Sequence, residues 1–268
     1  MRFVIKIGTS LLNAPDHKLD KKFLQRFVEQ VVRVHQAGHD VIIVSSGAVA
    51  SGRPHLKIDH ENSQIPYRQA LAAVGQVMLM KSYQELFAAH KVSVAQALLT
   101  NLDFVNRQNL INTKNVFALL LKHRIVPIVN ENDVTTIAEL KFGDNDMLSA
   151  KTAGLVAADY LILLSDVDGL YDSDPRKNPK AKFVSVVPKI TPTLTRGASG
   201  ALSQNSRGGM VTKLKAAQYT GALGIPMFIA QGKAPKIIDY IASFCVKRQD
   251  ELKTGSTLVQ PKHCTFFP

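Results

Sequence analysis

The sequence predicts an α/β protein built on an open, mostly parallel sheet with helices on both faces. Apolar runs of strand length alternate with segments of helical periodicity along the chain, which indicates consecutive β-α-β units. The runs VIIV at 41–44 and YLILL at 160–164 are continuously apolar, as strands buried on both faces should be. A chain of 268 residues can bury a large core, so we expect one domain spanning 1–268.

Six strands and six helices are predicted in alternation. The expected strands are Phe3–Ile7, Val41–Ser45, Val92–Leu98, Val126–Asn130, Tyr160–Ser165 and Pro226–Ala230. The expected helices are Lys21–Gln36, Arg68–His90, Leu110–His123, Met147–Ala157, Met210–Leu223 and Pro235–Phe244. Pro, Gly, Asp and Ser recur between Tyr171 and Asn205, which predicts long loops and a hairpin there.

The composition is that of an ordinary globular protein, with 46% hydrophobic and 20% charged residues. No apolar run reaches the roughly 18 residues that a membrane span needs, and the N-terminus shows no secretory signal. The two cysteines, Cys245 and Cys264, have no metal-ligand spacing around them and fit a reducing compartment. We therefore expect a cytoplasmic protein that does not interact with membranes.

A formal net charge of +12 raises the question of nucleic-acid binding. The basic residues are scattered, and their densest stretch, Arg176–Lys182, lies in a proline-broken loop. No RNA-recognition pattern with interleaved aromatic residues occurs. We expect an anionic small molecule such as a nucleotide, and no nucleic acid, as the ligand. A basic RNA-binding module is a distant alternative that would need a concentrated positive face.

Polar clusters follow four of the predicted strands. They are Gly8–Ser10, Ser45–Ala48, Asn130–Asp133 and Ser165–Asp166. Open α/β sheets bind ligands beyond the carboxyl ends of their strands, so these clusters predict a crevice lined with hydrogen-bonding groups.

Lys6 interrupts the first apolar strand, in the sequence KIGTS. A lysine in a buried strand is costly unless it is paired, so we expect it to meet an anion near the strand end. Gly8 lets the backbone approach a ligand closely, and the N–H groups that follow can bind phosphate. The alternative is an edge-strand lysine that reaches water. Neither a Walker loop nor a G-x-G-x-x-G fingerprint occurs in the chain.

Two other segments enter helices through small residues. Ser46 and Gly47, within SSGA, suit a carboxylate or phosphate at a helix N-terminus, and a simple serine cap is the alternative. Gly208 and Gly209, within RGGMVTK, open a helix that carries Lys213 about one turn inside. We expect Lys213 to be exposed, to reach the same anion and to contribute little to stability. A flexible loop before a surface helix is the alternative for this segment.

The run GDND places Asp144, Asn145 and Asp146 directly before the helix expected at Met147. Capping needs only one such side chain, so the run predicts a site in addition to a cap.

The run SDVDG follows the fifth predicted strand. Asp-Gly turn chemistry explains Asp168 and Gly169 without a ligand, and the calcium-loop pattern fails in register. Ser165 and Asp166, at the strand end, are the better site candidates.

Taken together, these segments resemble the amino-acid kinase family, and within it the branch that phosphorylates glutamate. The resemblance rests on KIGTS at 6–10, VIIVSSGAVASG at 41–52, QALAAVGQ at 69–76, VPIVNENDV at 126–134, ELKFGDNDMLSA at 139–150, LLSDVDGLYDSDPR at 163–176 and GGMVTKLKAA at 208–217. It implies the amino-acid kinase fold, a three-layer αβα sandwich, with glutamate bound by the N-terminal part and ATP by the C-terminal part. Many relatives carry a C-terminal PUA domain, which we do not expect in a chain ending at Pro268.

The resemblance implies transfer of the γ-phosphoryl group of ATP, with Mg²⁺, to the side-chain carboxylate of L-glutamate, the first step of proline biosynthesis. By family likeness Lys6 and Lys213 flank the reacting phosphates and Asp146 orients the two lysines. The residues implied to contact the nucleotide are Lys6, Gly8, Ser165, Asp166, Arg207, Gly208, Gly209, Met210, Val211, Thr212 and Lys213. Those implied to hold glutamate are Ser46, Gly47, Asp133, Asp144 and Asn145. No protein ligand is assigned to the metal.

The chain departs from the family at Ser206-Arg207, where relatives commonly have Gly-Thr; the arginine either adds a phosphate contact or faces solvent. By resemblance alone we expect a homo-oligomer (dimer or tetramer), proline as a feedback inhibitor and hand-over of product to glutamyl phosphate reductase. Two other functions stay open: a sister kinase acting on another acceptor, and a non-catalytic sensor on the same scaffold. A sensor would be expected to lose one of Lys6, Lys213 and Asp146, and this chain keeps all three.

Overall fold

The computed structural model describes residues 1–14, 18–56, 65–136, 145–173, 175, 178–191, 194, 209–254 and 262–268, with the backbone alone for 250–254. The strands within those residues are β1 Arg2–Ile7, β2 Asp40–Ser45, β3 Val94–Leu99, β4 Val126–Glu131, β5 Tyr160–Ser165, β6 Leu170–Tyr171, β7 Phe183–Val184, β8 Met227–Gln231 and β9 Cys264–Phe267. The helices are α1 Thr9–Leu12, α2 Lys21–Gln36, α3 Ala48–Gly52, α4 Ile65–Ala88, α5 Leu102–Val105, α6 Arg107–Lys122, α7 Asn145–Leu155, α8 Met210–Ala222 and α9 Ile237–Thr254, and a 3₁₀ turn covers Arg53–His55.

Seven of the strands form one sheet in the order β3-β4-β2-β1-β5-β8-β9. Six of them run parallel, and β9 pairs antiparallel with β8. Strand β1 lies at the centre, and its Ile7 pairs with Ser45 of β2 on one side and Leu164 of β5 on the other. Strands β6 and β7 form a separate antiparallel hairpin.

Helices cover both faces of the sheet, and each face has its own apolar core. Phe3, Ile5 and Ile7 of β1 belong to the core that includes side chains of α2, α4 and α9, whereas Val4 belongs to the core of α6, α7 and α8. Side chains alternate along a strand, so Lys6 lies on the same face as Val4. The open, mostly parallel sheet with helices on both faces, expected from the sequence, is confirmed.

All six predicted strands and six predicted helices are present, with shifted ends. The largest difference is in α9, which extends to Thr254 instead of ending at Phe244, and α4 and α6 each begin three residues before the predicted start, at Ile65 and Arg107. The helix expected to follow Ser46 and Gly47 is present as the short α3. Strand β9 and the short helices α1 and α5 were not predicted, because elements of four residues show too little periodicity. Within the described residues, no helix is both long and apolar enough to span a membrane.

Helices α3 and α4 pack backbone against backbone through two glycines. A Cβ atom on Gly75 of α4 would lie 1.7 Å from the carbonyl oxygen of Ala48 and 2.3 Å from the amide nitrogen of Gly52. A Cβ atom on Gly52 of α3 would lie 2.0 Å from the carbonyl oxygen of Leu71. No side chain fits at either position. This contact fixes α4 to the segment that follows β2.

We predict that Gly75→Ala lowers the free energy of unfolding by about 3 kcal/mol or more, because the new methyl group must push two helix backbones apart. The matched control is Gly221→Ala in helix α8, where a Cβ atom would meet nothing within 4 Å. There the higher helix propensity of alanine should leave stability unchanged or raise it by up to about 1 kcal/mol. Denaturant unfolding followed by circular dichroism measures both. Equal stability of the two variants would contradict the backbone contact.

Candidate active site

The carboxyl end of β1 is the point where the chain changes direction across the sheet. After β1 the chain builds β2, β3 and β4 on one side, and it then returns to place β5 on the other side of β1. Such a reversal of strand order opens a crevice between neighbouring strand ends. The polar clusters predicted from the sequence are found at this edge, after β1, β2, β4 and β5.

A buried ion cluster lies at the end of β1. The Nζ atom of Lys6 is 2.6 Å from Oδ1 of Asp146, and the Nζ atom of Lys213 is 3.1 Å from Oδ2 of the same carboxylate. All three side chains are shielded from solvent, and Asp146 is completely buried. The hydroxyl of Thr212 lies 2.9 Å from Asp146 Oδ2 and 2.7 Å from the carbonyl oxygen of Gly209, and its single hydrogen can be donated to either acceptor.

Three separate elements supply this cluster, which we call the Asp146 triad (Lys6, Asp146 and Lys213). Strand alternation directs Lys6 toward the face of α7 and α8. Asp146 lies in the first turn of α7, and Lys213 lies in the first turn of α8. Burial alone would raise the pKa of the Asp146 carboxyl, but the two ammonium groups outweigh burial and hold that pKa well below its usual range.

An uncharged amide network lies beside the triad, at the ends of β2 and β4. Nδ2 of Asn145 is 3.1 Å from the carbonyl oxygen of Ser45, 3.0 Å from the hydroxyl of Ser46 and 3.1 Å from Oδ1 of Asn130. Asn145 directly precedes Asp146, so the first turn of α7 contributes to both groups. Side chains that are distant in sequence, from β2, β4 and α7, therefore converge on one place.

Two glycines bring backbone close to this place. Gly47 has φ +102°, a left-handed conformation that other residues adopt only under strain, and it caps α3. A Cβ atom on Gly8 would lie 3.6 Å from Nζ of Lys6, so the absence of a side chain leaves the space beside that ammonium group open. The close backbone approach expected at Gly8 thus has a physical basis.

The expected nucleotide residues are described only in part. Ser165 ends β5 in a buried position, whereas Asp166 is exposed, and the Ser165 hydroxyl donates to Asp166 Oδ1 at 3.2 Å. Gly209 precedes α8, and Met210, Val211 and Thr212 form its first turn. Asp144, Arg207 and Gly208 lie outside the described residues.

The structure corrects the expected exposure of Lys213 and decides between the two alternatives for Lys6. Lys213 was expected to be exposed, but only 5% of it is accessible, because it lies within α8 and is paired with Asp146. The edge-strand alternative for Lys6 is wrong, since β1 is central in the sheet. Asp133 is half-buried in the turn after β4, where its amide donates to the carbonyl oxygen of Glu131 at 3.0 Å.

Two residues near the site, Gln76 and Tyr83, were not singled out from the sequence. Oε1 of Gln76 accepts a hydrogen bond of 3.0 Å from Nδ2 of Asn130, and the hydroxyl of Tyr83 lies 2.9 Å from that of Ser45. Gln76 and Tyr83 lie seven residues apart on α4, two helical turns, and therefore face the same side. Their spacing of two turns, in line with the apolar residues Ala72, Leu79 and Phe87 that face the core, is the signal that could have identified them.

The chain resembles known proteins in sequence and in fold. A model of the "Amino acid kinase family" matches residues 1–231. Glutamate 5-kinase 2 of Bacillus licheniformis is 45% identical over 237 residues, which are 88% of this chain and 64% of that protein. Glutamate 5-kinase of Clostridium acetobutylicum is 44% identical over 243 residues, which are 91% of each chain. A solved isopentenyl phosphate kinase shares the fold with a TM-score of 0.63 at 17% identity, over 100% of both chains.

We predict that Asp146→Asn lowers the free energy of unfolding by about 3–5 kcal/mol at neutral pH, because a neutral amide leaves two buried ammonium groups without their counter-ion. Asp239→Asn is the control: its partner Arg33 is 2.7 Å away but 50% exposed, so the loss should be below about 1 kcal/mol. Denaturant unfolding of wild type and both variants measures the difference.

The pH dependence of that difference has a defined sign. The pKa of Asp146 is depressed in the folded protein, so the stabilisation is fully present above the unfolded pKa of about 3.9 and is lost as the pH falls below it. The stability gap between wild type and Asp146→Asn should be constant from about pH 7 to pH 5 and should shrink below about pH 4. A gap that persists unchanged in acid would contradict an ionised Asp146.

Proposed function

The chain belongs to the amino acid kinase family, and we propose that it transfers the γ-phosphoryl group of ATP to the side-chain carboxylate of L-glutamate, yielding L-glutamyl 5-phosphate and ADP. The similar proteins of Bacillus licheniformis and Clostridium acetobutylicum carry the name glutamate 5-kinase. The chain spans 64% of the length of the first and 91% of the second. The proposal therefore concerns the part of such an enzyme that contains the site described above.

The Asp146 triad is the observation that carries this proposal. Two ammonium groups held by one carboxylate leave the triad with one net positive charge, in a buried position at the strand ends. Catalysis of phosphoryl transfer depends mainly on positioning the two substrates and on stabilising the negative charge on the oxygens of the transferred phosphoryl group. Lysines that already point to one place before the substrate arrives lose little freedom when they bind phosphate.

The acceptor in this reaction needs no general base. A glutamate side chain is ionised at neutral pH, so its carboxylate oxygen can attack the γ-phosphorus directly. The obstacle is the repulsion between two anions. We assign Lys6 and Lys213 to the phosphates, where they offset that repulsion, and Asp146 to the orientation of both lysines. Gly8, Ser165, Asp166 and the segment 207–212 are proposed to contact the nucleotide.

Glutamate is proposed to bind beside the uncharged amide network, at the ends of β2 and β4. The hydroxyl of Ser46, the backbone N–H groups around Gly47 and the side chain of Asn145 offer hydrogen bonds to its carboxylates. Asp133, a half-buried residue just after β4, and Asp144, which precedes Asn145 in the sequence, are proposed to receive its amino group. In this arrangement the attacking side-chain carboxylate of glutamate lies beside the lysines but is held by hydrogen bonds and not by an ion pair with them.

Mg²⁺ is proposed to enter with ATP. Within the described residues no group of three or more His, Cys, Asp and Glu side chains could hold a metal. Mg²⁺ in such sites is held largely by phosphate oxygens and water, with one or two carboxylates. The net positive charge of the Asp146 triad fits the polyphosphate that would carry the ion. When bound, the metal neutralises charge on the transferring phosphates.

We also propose that the chain forms a homo-oligomer. Apolar side chains are exposed on α4, α5 and α6, the helices that precede and follow the edge strand β3; they include Val77 (61% exposed), Val105 (72%), Val116 (55%) and Leu119 (57%). Unpaired sheet edges flanked by apolar surface are typical contact sites. Inhibition by proline and transfer of product to glutamyl phosphate reductase are proposed from family membership alone.

Trapping of the product with hydroxylamine tests the reaction. The protein is supplied with ATP and Mg²⁺ and, in separate reactions, with L-glutamate, L-aspartate, N-acetyl-L-glutamate or UMP. We expect hydroxamate and ADP with glutamate only, because an acyl phosphate reacts with hydroxylamine. ADP formed with UMP but without hydroxamate would identify UMP as the acceptor in place of glutamate. Hydroxamate with aspartate and none with glutamate would identify aspartate.

We predict that Lys213→Met reduces kcat by about a hundredfold or more, because methionine fills the space of the lysine stem but removes the charge that stabilises the transferring phosphoryl group. Lys215→Met is the matched control, an exposed lysine two residues further along α8 whose loss should leave kcat within about twofold. Circular dichroism establishes that both variants are folded at the assay temperature. A folded Lys213→Met protein with near-normal kcat would contradict the assigned role.

A further inference from the structure

Gln76 is a buried polar residue of α4 to which the proposed reaction assigns no task. Only 8% of its surface is accessible. The backbone contact between the preceding residue, Gly75, and helix α3 holds this turn of α4 against the segment that follows β2. Gln76 therefore has a fixed position relative to Ser46 and Gly47, the residues proposed to bind the substrate carboxylate.

The hydrogen-bond network determines which way the Gln76 amide points. The backbone N–H of Glu131 donates to Oδ1 of Asn130 at 2.9 Å, so this side-chain atom must be the oxygen. Nδ2 of Asn130 is therefore a donor, and the atom of Gln76 that lies 3.0 Å from it must be the acceptor Oε1. The remaining polar atom of Gln76 is then its NH₂ group.

That NH₂ group has no hydrogen-bond partner within the described part of the chain, and it is inaccessible to solvent. Buried amide donors are almost always paired, so an unpaired one requires an explanation. Asn130 cannot serve as its acceptor. The amide group of Asn130 donates to Gln76, and its oxygen already accepts from Glu131 and Asn145.

Asn145 is also fully used by protein groups. Its NH₂ group has two hydrogens and faces three acceptors, on Ser45, Ser46 and Asn130. It can donate to a ligand only by giving up one of these contacts. A donor that binds a carboxylate without disrupting the network must come from elsewhere, and the Gln76 NH₂ group is the buried donor that the network leaves unused.

We propose that Gln76 is a positioning and specificity-determining residue of the carboxylate subsite. Its carbonyl oxygen holds Asn130, which holds Asn145 at the entrance to α7, and its NH₂ group donates a hydrogen bond to an oxygen of the bound carboxylate substrate. This inference rests on the proposed function, and it adds to the site a residue from outside the triad.

Two variants separate the carbonyl role from the NH₂ role. Gln76→Met keeps the volume and removes both polar atoms. Gln76→Glu keeps the oxygen that accepts from Asn130 and replaces the NH₂ group with a second oxygen. In both we expect the KM for glutamate to rise about tenfold to a hundredfold, the usual effect of losing a hydrogen bond to a charged group. The KM for ATP should change by less than about twofold.

The pH dependence of the KM of Gln76→Glu for glutamate tests whether residue 76 donates the hydrogen bond to the substrate. A buried glutamate side chain is protonated more readily than usual, and its protonated form carries an O–H group where glutamine has its NH₂. Lowering the pH from about 8 to about 6 should therefore bring the KM of Gln76→Glu for glutamate back toward that of wild type, with ADP release as the readout. Wild type and Gln76→Met should show no such recovery.

Gln84→Glu and Gln84→Met are the controls, since Gln84 is exposed on the same helix and should tolerate both changes. If the wild type forms ADP with glutamate and Gln76→Glu retains the wild-type KM throughout the pH range, the inference is wrong and the proposed function stands. Thermal unfolding that falls in both Gln76 variants without a change in KM would show a purely structural residue. A wild type inactive with glutamate would overturn the proposed function itself, and the inference with it.

Discussion

The Asp146 carboxylate lies between two lysine ammonium groups in a part of the protein that excludes water, and most of the site depends on that interaction. A single buried lysine would be strongly destabilising, and two would repel each other. One fully buried carboxylate between them offsets much of both penalties and leaves one positive charge for an anion. The same contact joins β1, α7 and α8, whose contributing residues are 140 and 67 positions apart in sequence.

The fold produces this convergence because the strand order reverses at β1. A central parallel strand is covered by helices on both faces, so the residue that follows Val4 on the same face has to contact a helix and cannot reach water. Helices α7 and α8 both begin at this edge of the sheet, and each contributes its first turn. First turns have unpaired N–H groups and favour negative charge, which suits both Asp146 and the proposed phosphates.

Sequence reasoning located the strands and long helices because continuous apolar runs and helical periodicity are local signals. It also located Asp146, since three polar residues in a row exceed what a helix cap requires. It placed Lys213 on the surface, because the burial of that lysine depends on a carboxylate 67 positions away in sequence. Gln76 and the contact between Gly52 and Gly75 were missed for the same reason: each depends on the approach of α3 to α4, which has no local signature.

The two halves of the site differ in charge in a way that suits the proposed reaction. The triad offers cations, whereas the network of Asn145, Asn130 and Gln76 is uncharged and leaves the Gln76 NH₂ group as a neutral donor. A carboxylate that forms an ion pair is held tightly and loses nucleophilicity, since its charge is neutralised before the attack. Amide groups orient a carboxylate with weaker hydrogen bonds and leave its charge available. If the site residues act as proposed, cations on the phosphate side and amides on the acceptor side stabilise the transition state more than the bound substrates.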